Sequence, residues 1–184
     1  MTQFKFKTKP YAHQVKALTL SCDREEFAYL MEMGTGKSKV LVDNIAYLYA
    51  NGKIDGALIL APKGVYRTWY NIDRKYNKTG QLVDHMPDHV NYYAAYWSSY
   101  KTKERLYALD LLFKSDDKLH ILVMNIEALS TKNGTEFAAR FLRCHTALVA
   151  IDESTTIKNP KALRTKSAVK LGKSSKYRRL LSGM

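Results

Sequence analysis

Met31-Glu32-Met33-Gly34-Thr35-Gly36-Lys37-Ser38 lies between a short apolar run and a segment with helical spacing. Gly34 and Gly36 carry no Cβ, so the backbone there can take φ > 0 and turn successive N–H groups inward. Lys37 supplies a point charge suited to β- and γ-phosphates, and the Ser38 hydroxyl can ligate Mg²⁺. Upstream, Glu26 to Met31 predicts a short buried strand. Downstream, Val40, Leu41, Ile45 and Leu48 share one face of a helix over Lys39–Ala50. Such a helix sets its N-terminal dipole and free amides against an anion. Met31 stands where the full phosphate-loop signature has its first Gly, so a chance Gly-x-Gly-Lys-Ser turn competes with this reading until a partner site is found.

That partner is Leu148-Val149-Ala150-Ile151-Asp152-Glu153-Ser154-Thr155. An apolar run ends in two carboxylates, as a buried parallel strand does when it delivers side chains to the carboxyl edge of its sheet. Asp152 is the candidate Mg²⁺ holder. Glu153 is placed to orient and deprotonate a water attacking a γ-phosphate. A solvated Asp-Glu pair alone would prove nothing. Phosphate cradle, metal holder and base together point to ATP hydrolysis.

With both motifs in place, the order of segments resembles the first motor domain of Swi/Snf-type ATPases, in the second helicase superfamily. Lys9-Pro10-Tyr11-Ala12-His13-Gln14-Val15-Lys16-Ala17-Leu18 is similar to the segment before the family's phosphate loop. The resemblance gives Gln14 the adenine edge and lays Tyr11 against the base. Met33-Gly34-Thr35-Gly36-Lys37-Ser38 matches the family's Met-Gly-x-Gly-Lys-Ser/Thr form, which accounts for the missing Gly. Leu58-Ile59-Leu60-Ala61-Pro62-Lys63, followed by Trp69, and Val123-Met124-Asn125-Ile126-Glu127-Ala128-Leu129 look like segments that touch the nucleic-acid backbone. Asp152-Glu153-Ser154-Thr155 with Ile157-Lys158-Asn159 matches the acidic box and its Lys-Asn tail. Leu181-Ser182-Gly183 looks like the start of the coupling motif, with Met184 in place of its usual Thr.

The resemblance implies an α/β, RecA-like, P-loop NTPase fold: a parallel sheet with helices on both faces. It implies ATP and Mg²⁺ as cofactors and duplex DNA, held by its backbone, as a partner. Pro62, Lys63, Asn125, Lys158 and Asn159 would touch that DNA, while Ser182 and Gly183 would couple it to nucleotide state. Residues 1–184 would form one N-terminal motor domain, with the second RecA-like domain, and the arginines that complete the ATP site, absent from this chain. Weak nucleotide binding and little hydrolysis are then expected of these residues alone. The compact spacing is similar to that of small phage and prophage members. Two other readings remain open. One is a non-motor nucleic-acid-binding or regulatory module with a motor-like fold. The other is a small P-loop kinase or a self-sufficient NTPase; a kinase of that sort would need a lid with arginines that the sequence between the ATP motifs does not display.

Composition agrees with one domain. The chain has 184 residues, 46% of them hydrophobic, enough for a sizeable core. Cys22 and Cys144 lie far apart without metal spacing, so reduced thiols and a cytoplasmic location are expected. The resemblance to phage and prophage members implies a bacterial or phage-infected host cell, with nucleoid association as an option. No apolar run reaches the length of a membrane span. The net charge of +13 is unevenly placed: after Glu153 there is no acid. The basic residues there are Lys158, Lys161, Arg164, Lys166, Lys170, Lys173, Lys176, Arg178 and Arg179. Such a run can neutralise phosphates in a salt-sensitive way, or serve as a solvated face.

Strands are expected at Ala57–Ala61, Asn91–Tyr96, Leu119–Met124 and Ala147–Ile151, with a last one beginning at Leu180–Leu181. Helices are expected at Tyr11–Ser21, Val65–Tyr76, about Lys101–Phe113 and Thr135–Leu142, and loops at Asn77–Asp88 and after Asp152. Alternation of this kind argues for a parallel sheet covered on both faces. The aromatic group Tyr92, Tyr93, Tyr96, Trp97 and Tyr100 reads as core rather than a base-stacking platform, and Trp69 as helix packing. His85 and His89 have helical metal spacing, but Pro87 between them opposes a continuous helix and a zinc site.

Overall fold

Six strands form one parallel sheet in the computed structural model, which describes residues 4–70, 79–99 and 102–183. They are β1 Glu26–Leu30, β2 Gly56–Ala61, β3 Tyr92–Tyr96, β4 Leu119–Asn125, β5 Ala147–Ile151 and β6 Tyr177–Ser182, in the order β1-β6-β5-β2-β4-β3. The middle strands are the most apolar: every residue of β2 and β5 is buried, as two-sided cover requires.

One face of the sheet carries α1 Ala12–Ser21, α2 Lys37–Ala50, α3 Tyr66–Tyr70 and α4 Gln81–His85. Their contributions include Leu18, Val40, Ile45, Trp69 and Leu82, which pack on Ala57, Ile59 and Val123. The other face carries α5 Lys103–Asp110, α6 Lys132–Cys144 and α7 Leu163–Lys173. There Leu109, Phe141 and Leu171 meet Leu58, Leu60, Leu122 and Val149. Successive residues of β2 thus feed opposite cores, the period of two that a central strand imposes. Because all strands run the same way, every loop that leaves a strand's carboxyl end emerges on one edge.

Several boundaries differ from expectation for identifiable reasons. The loop expected at Asn77–Asp88 contains α4: Gly80 is its N-cap, Leu82 and Met86 are buried, and Pro87 stops it. The stretch after Asp152 holds a short 3-10 turn, Ser154–Ile157, and then α7, whose Thr165, Ala168 and Leu171 are buried. The exposed lysines interleaved with them hid that face. The last strand begins at Tyr177, earlier than expected, because Arg178 and Arg179 are inside it. The helix expected over Val65–Tyr76 is described as far as Tyr70, and its remainder lies outside the described residues, as do Tyr100 and Lys101. Tyr92, Tyr93, Tyr96 and Trp97 are all half-buried against the two cores.

Candidate active site

β1 delivers the phosphate loop to the sheet's carboxyl edge. Gly34 sits at φ 77° and Gly36 at φ 83°, conformations that cost an ordinary residue about 1 kcal/mol or more. A Cβ on Gly36 would also lie 2.3 Å from Gln14 Nε2. α1 is that close because Gln14 Nε2 donates to the Thr35 carbonyl at 3.0 Å. His13, as its Nε2–H tautomer, is a second donor to the same oxygen at 3.0 Å. Gln14 Oε1 in turn accepts the Tyr11 N–H at 3.0 Å. Both ends of this buried carboxamide are therefore engaged, so contact with an adenine would require exchanging one of these bonds. Tyr11 is free to act as a base platform, being 70% exposed and stacked on His13.

The loop has the features a phosphate chain needs. Among the described residues the amides of Gly34, Gly36, Lys37 and Ser38 meet no acceptor. They open α2, whose N-terminus favours an anion. Lys37 Nζ donates to the carbonyls of Met31 and Glu32, both at 3.0 Å. These are two neutral partners that an ammonium would exchange for charged oxygens.

β5 delivers the acids. The Asp152 N–H extends the ladder to Leu60 O at 2.7 Å. Its carboxylate is 7% exposed and fixed at both oxygens: Trp69 Nε1 donates to Oδ2 at 3.0 Å and the Glu153 N–H to Oδ1 at 3.0 Å. Burial pushes the Asp152 carboxyl above the usual carboxylate range. The Trp69 bond opposes that, the Glu153 charge adds to it, and the Glu153 amide and the Lys37 charge oppose it. That Lys37 charge ties the two motifs together electrostatically. Only β6 separates β1 from β5, which puts the two motifs about 10 Å apart along the edge. Glu153 is half-buried at φ 51°, and no other non-glycine among the described residues has a positive φ. That left-handed backbone holds local strain, a pattern that clusters at working sites.

Ser182 ends the strand between the two motifs, and Gly183 follows it. The Met31 N–H reaches Ser182 O at 3.3 Å, and a Cβ on Gly183 would stand 3.0 Å from Met33 Cγ. Asn125 is the last residue of β4, Pro62 and Lys63 follow β2 directly, and Lys158 and Asn159 follow the 3-10 turn after β5, with Lys63, Lys158 and Asn159 exposed. Two of them already do local work. Asn125 Oδ1 caps the turn at Ala128 N (2.7 Å), and Asn159 Oδ1 accepts from Lys161 N (2.9 Å).

The basic run is corrected at its end. Arg179 is 1% exposed, its guanidinium bonded to Asn44 Oδ1 and to the carbonyls of Ser21, Arg24, Glu25 and Arg178. Arg178 pairs with Glu26 at 2.8 Å. Both are structural, whereas Lys158, Lys161, Lys166, Lys170, Lys173 and Lys176 stay exposed. Two residues at the site have no role there in the sequence reading: His13, and Trp69, which reads as helix packing and is indeed wholly buried but also bonds Asp152. An indole N–H buried in a core needs an acceptor, and that requirement was the available signal for Trp69. For His13 the signal was adjacency to Gln14.

A parallel sheet with a glycine-turned loop after β1 and acids after β5 defines the RecA-like α/β class. The chain belongs to the SNF2-related domain family, whose sequence model matches residues 13–184. Among solved structures it is similar to the UvsW helicase of bacteriophage T4, at a TM-score of 0.60 and 16% identity, covering 96% of this chain and 53% of that one. A second T4 UvsW structure gives a TM-score of 0.61, 15% identity, and coverage of 96% and 30%. A nuclease-deletion mutant of the Type ISP restriction-modification enzyme LlaGI, in complex with a DNA substrate mimic, gives 0.60, 12%, and coverage of 96% and 18%. The chain thus spans about half the length, or less, of these neighbours. No curated protein matches it in sequence. Among the described residues no helix is long and apolar enough to cross a membrane, and no cluster of His, Cys, Asp and Glu could hold a metal by itself.

Proposed function

We propose that this chain is the ATP-binding N-terminal motor domain of a Swi/Snf-like, DNA-dependent ATPase that moves on duplex DNA when paired with a second RecA-like domain. The observation that carries the reading is the convergence on one sheet edge of Lys37, a buried, doubly bonded Asp152, and the amides of Gly34, Gly36, Lys37 and Ser38, which meet no acceptor among the described residues. ATP·Mg²⁺ fits this set, since donors and a cation face an acid across about two strand spacings. When bound it would supply a scissile anhydride and a Lewis acid for its γ-phosphate.

The chain's own groups then have separate tasks. Met33, Gly34, Thr35 and Gly36 shape the loop, and its amides hold phosphate oxygens. Lys37 swings from the Met31 and Glu32 carbonyls to the β- and γ-phosphates. Ser38 and Asp152 hold the cation, and Glu153 takes the proton of the attacking water. Tyr11 stacks on the base. Gln14 selects adenine if it releases Tyr11 N–H or Thr35 O. Ser182 and Gly183, touching the loop from β6, pass its state to the DNA side, where Pro62, Lys63, Asn125, Lys158 and Asn159 contact the backbone.

The test is ATP turnover by the full-length protein with duplex DNA, single-stranded DNA and RNA side by side. Duplex-stimulated turnover supports the reading. Salt-dependent DNA binding indifferent to ATP would replace it with the non-motor module.

A further inference from the structure

Trp69 occupies an unusual position for a packing residue. It lies in α3, launched from β2 by a turn in which Val65 N–H and Tyr66 N–H both bond Pro62 O, at 2.8 and 2.9 Å. Its ring is wholly buried, yet the ring's one polar atom is aimed at the acid on the neighbouring strand rather than at a main-chain carbonyl. β2 and β5 are adjacent, and the Asp152 N–H is bonded to Leu60 O, so α3 and the acid are joined through the backbone as well as through the indole. The two bonds on Asp152 use a different oxygen each. The carboxylate plane is therefore set before any ligand arrives, and each oxygen keeps a lone pair for a further partner.

We propose that Trp69 is the positioning residue for the metal-holding carboxylate: its indole N–H fixes the plane of Asp152, so that one oxygen faces the phosphate loop and the divalent cation of Mg·ATP. This rests on the nucleotide reading above. Hydrogen-bonded supports of a metal's carboxylate commonly contribute 10- to 100-fold in metal affinity. The support here is a neutral donor that cannot compete with the cation, unlike a lysine or arginine in the same place. It is also carried by the helix that begins just after Pro62, Lys63 and Gly64, the last two exposed.

The experiment measures affinity of the 184-residue chain for a fluorescent ATP analogue while Mg²⁺ is titrated, in wild type and Trp69→Phe. Phe keeps most of the buried ring and deletes the N–H. The expected result is an unchanged affinity without Mg²⁺ and a Mg²⁺ midpoint raised about tenfold in the variant. An unchanged Mg²⁺ midpoint, whatever happens to the urea midpoint, would leave Trp69 as packing and overturn the proposal. Should wild type itself bind no nucleotide, the proposed function fails first and separately. A second readout needs no change at Trp69. The chain has two tryptophans, and Trp97→Phe leaves Trp69 as the single reporter. Its emission should shift when Mg²⁺ is added to the ATP complex and not when ATP is added in chelator. No Mg²⁺-dependent shift would count against the proposal even if Trp69→Phe does not fold.

Discussion

The phosphate loop and the acidic corner face the same space from either side of β6, and they are held in opposite ways. In the loop, Lys37 rests on two carbonyls of its own turn, and the amides around it have no acceptor among the described residues. At the corner, Asp152 is buried with both oxygens bonded by groups from α3 and from its own chain. A lysine on neutral acceptors gains when anionic oxygens replace them, because two opposite full charges attract more strongly than a charge and a carbonyl dipole. A carboxylate already set in place gives the cation a fixed direction without reordering at the moment of binding. The loop is thus the half that rearranges and the corner the half that waits.

The sharpest way to break this contrast is to disable one side at a time in a protein that carries both motor domains. Glu153→Gln should keep nucleotide binding and lower DNA-stimulated turnover by about 10²- to 10⁴-fold, the usual worth of a general base. Lys37→Ala should lose binding as well as turnover. Normal turnover in either variant refutes the division of roles.

The strand between the two halves gives the next largest effect. Arg179 satisfies four carbonyls and Asn44 from a buried position, with burial drawing its guanidinium below its ordinary range. Arg179→Met should cost several kcal/mol in urea unfolding, because it leaves buried neutral acceptors without a donor at about 1–3 kcal/mol each. A loss under 1 kcal/mol would show that β6 is not anchored to α1 and α2 in this way.

How much of this was legible in the sequence follows the same divide. The loop was readable because its chemistry is local: two glycines, a lysine and a serine are contiguous, and an apolar helix follows. The acids were readable because a buried strand runs directly into them. Trp69 as their support was not, since the bond spans 83 residues and is created only when β2 and β5 pair. Arg179 misled for a related reason. In one dimension it belongs to a basic run, and only its place on an inward position of β6 shows that its charge is spent on carbonyls. α7 was hidden by the lysines that coat a helix whose apolar face is narrow.

Gly36→Ala sharpens the loop side further. The left-handed φ alone costs about 1–2 kcal/mol, and the contact with Gln14 Nε2 adds to it. The same substitution in a Gln14→Ala background should cost less, since only the backbone penalty remains. Equal losses in both backgrounds would show that Gln14 does not press on the loop.

The smallest effect concerns the helix behind the loop. Lys39 and Asp43 form a buried pair at 2.9 Å, and burial pushes the Asp43 carboxyl up to about 6 against the bonding of Lys39. The folded state then holds this proton more tightly than the unfolded chain does. Its contribution to stability is fully present below the ordinary Asp range and is lost as pH rises through about 6. Urea midpoints measured from pH 4 to 7 should fall more steeply in wild type than in Asp43→Asn. Parallel curves would remove Asp43 from the account.

The most direct test of the shared space is the ATP affinity of the 184-residue chain with and without Mg²⁺, for wild type, Asp152→Asn and Lys37→Ala. The expected result is that Mg²⁺ tightens binding in wild type, that Asp152→Asn loses this gain while keeping Mg²⁺-free binding, and that Lys37→Ala is weakened tenfold or more in both conditions. Variants that bind ATP like wild type, with the same response to Mg²⁺, would place the nucleotide elsewhere and contradict the account.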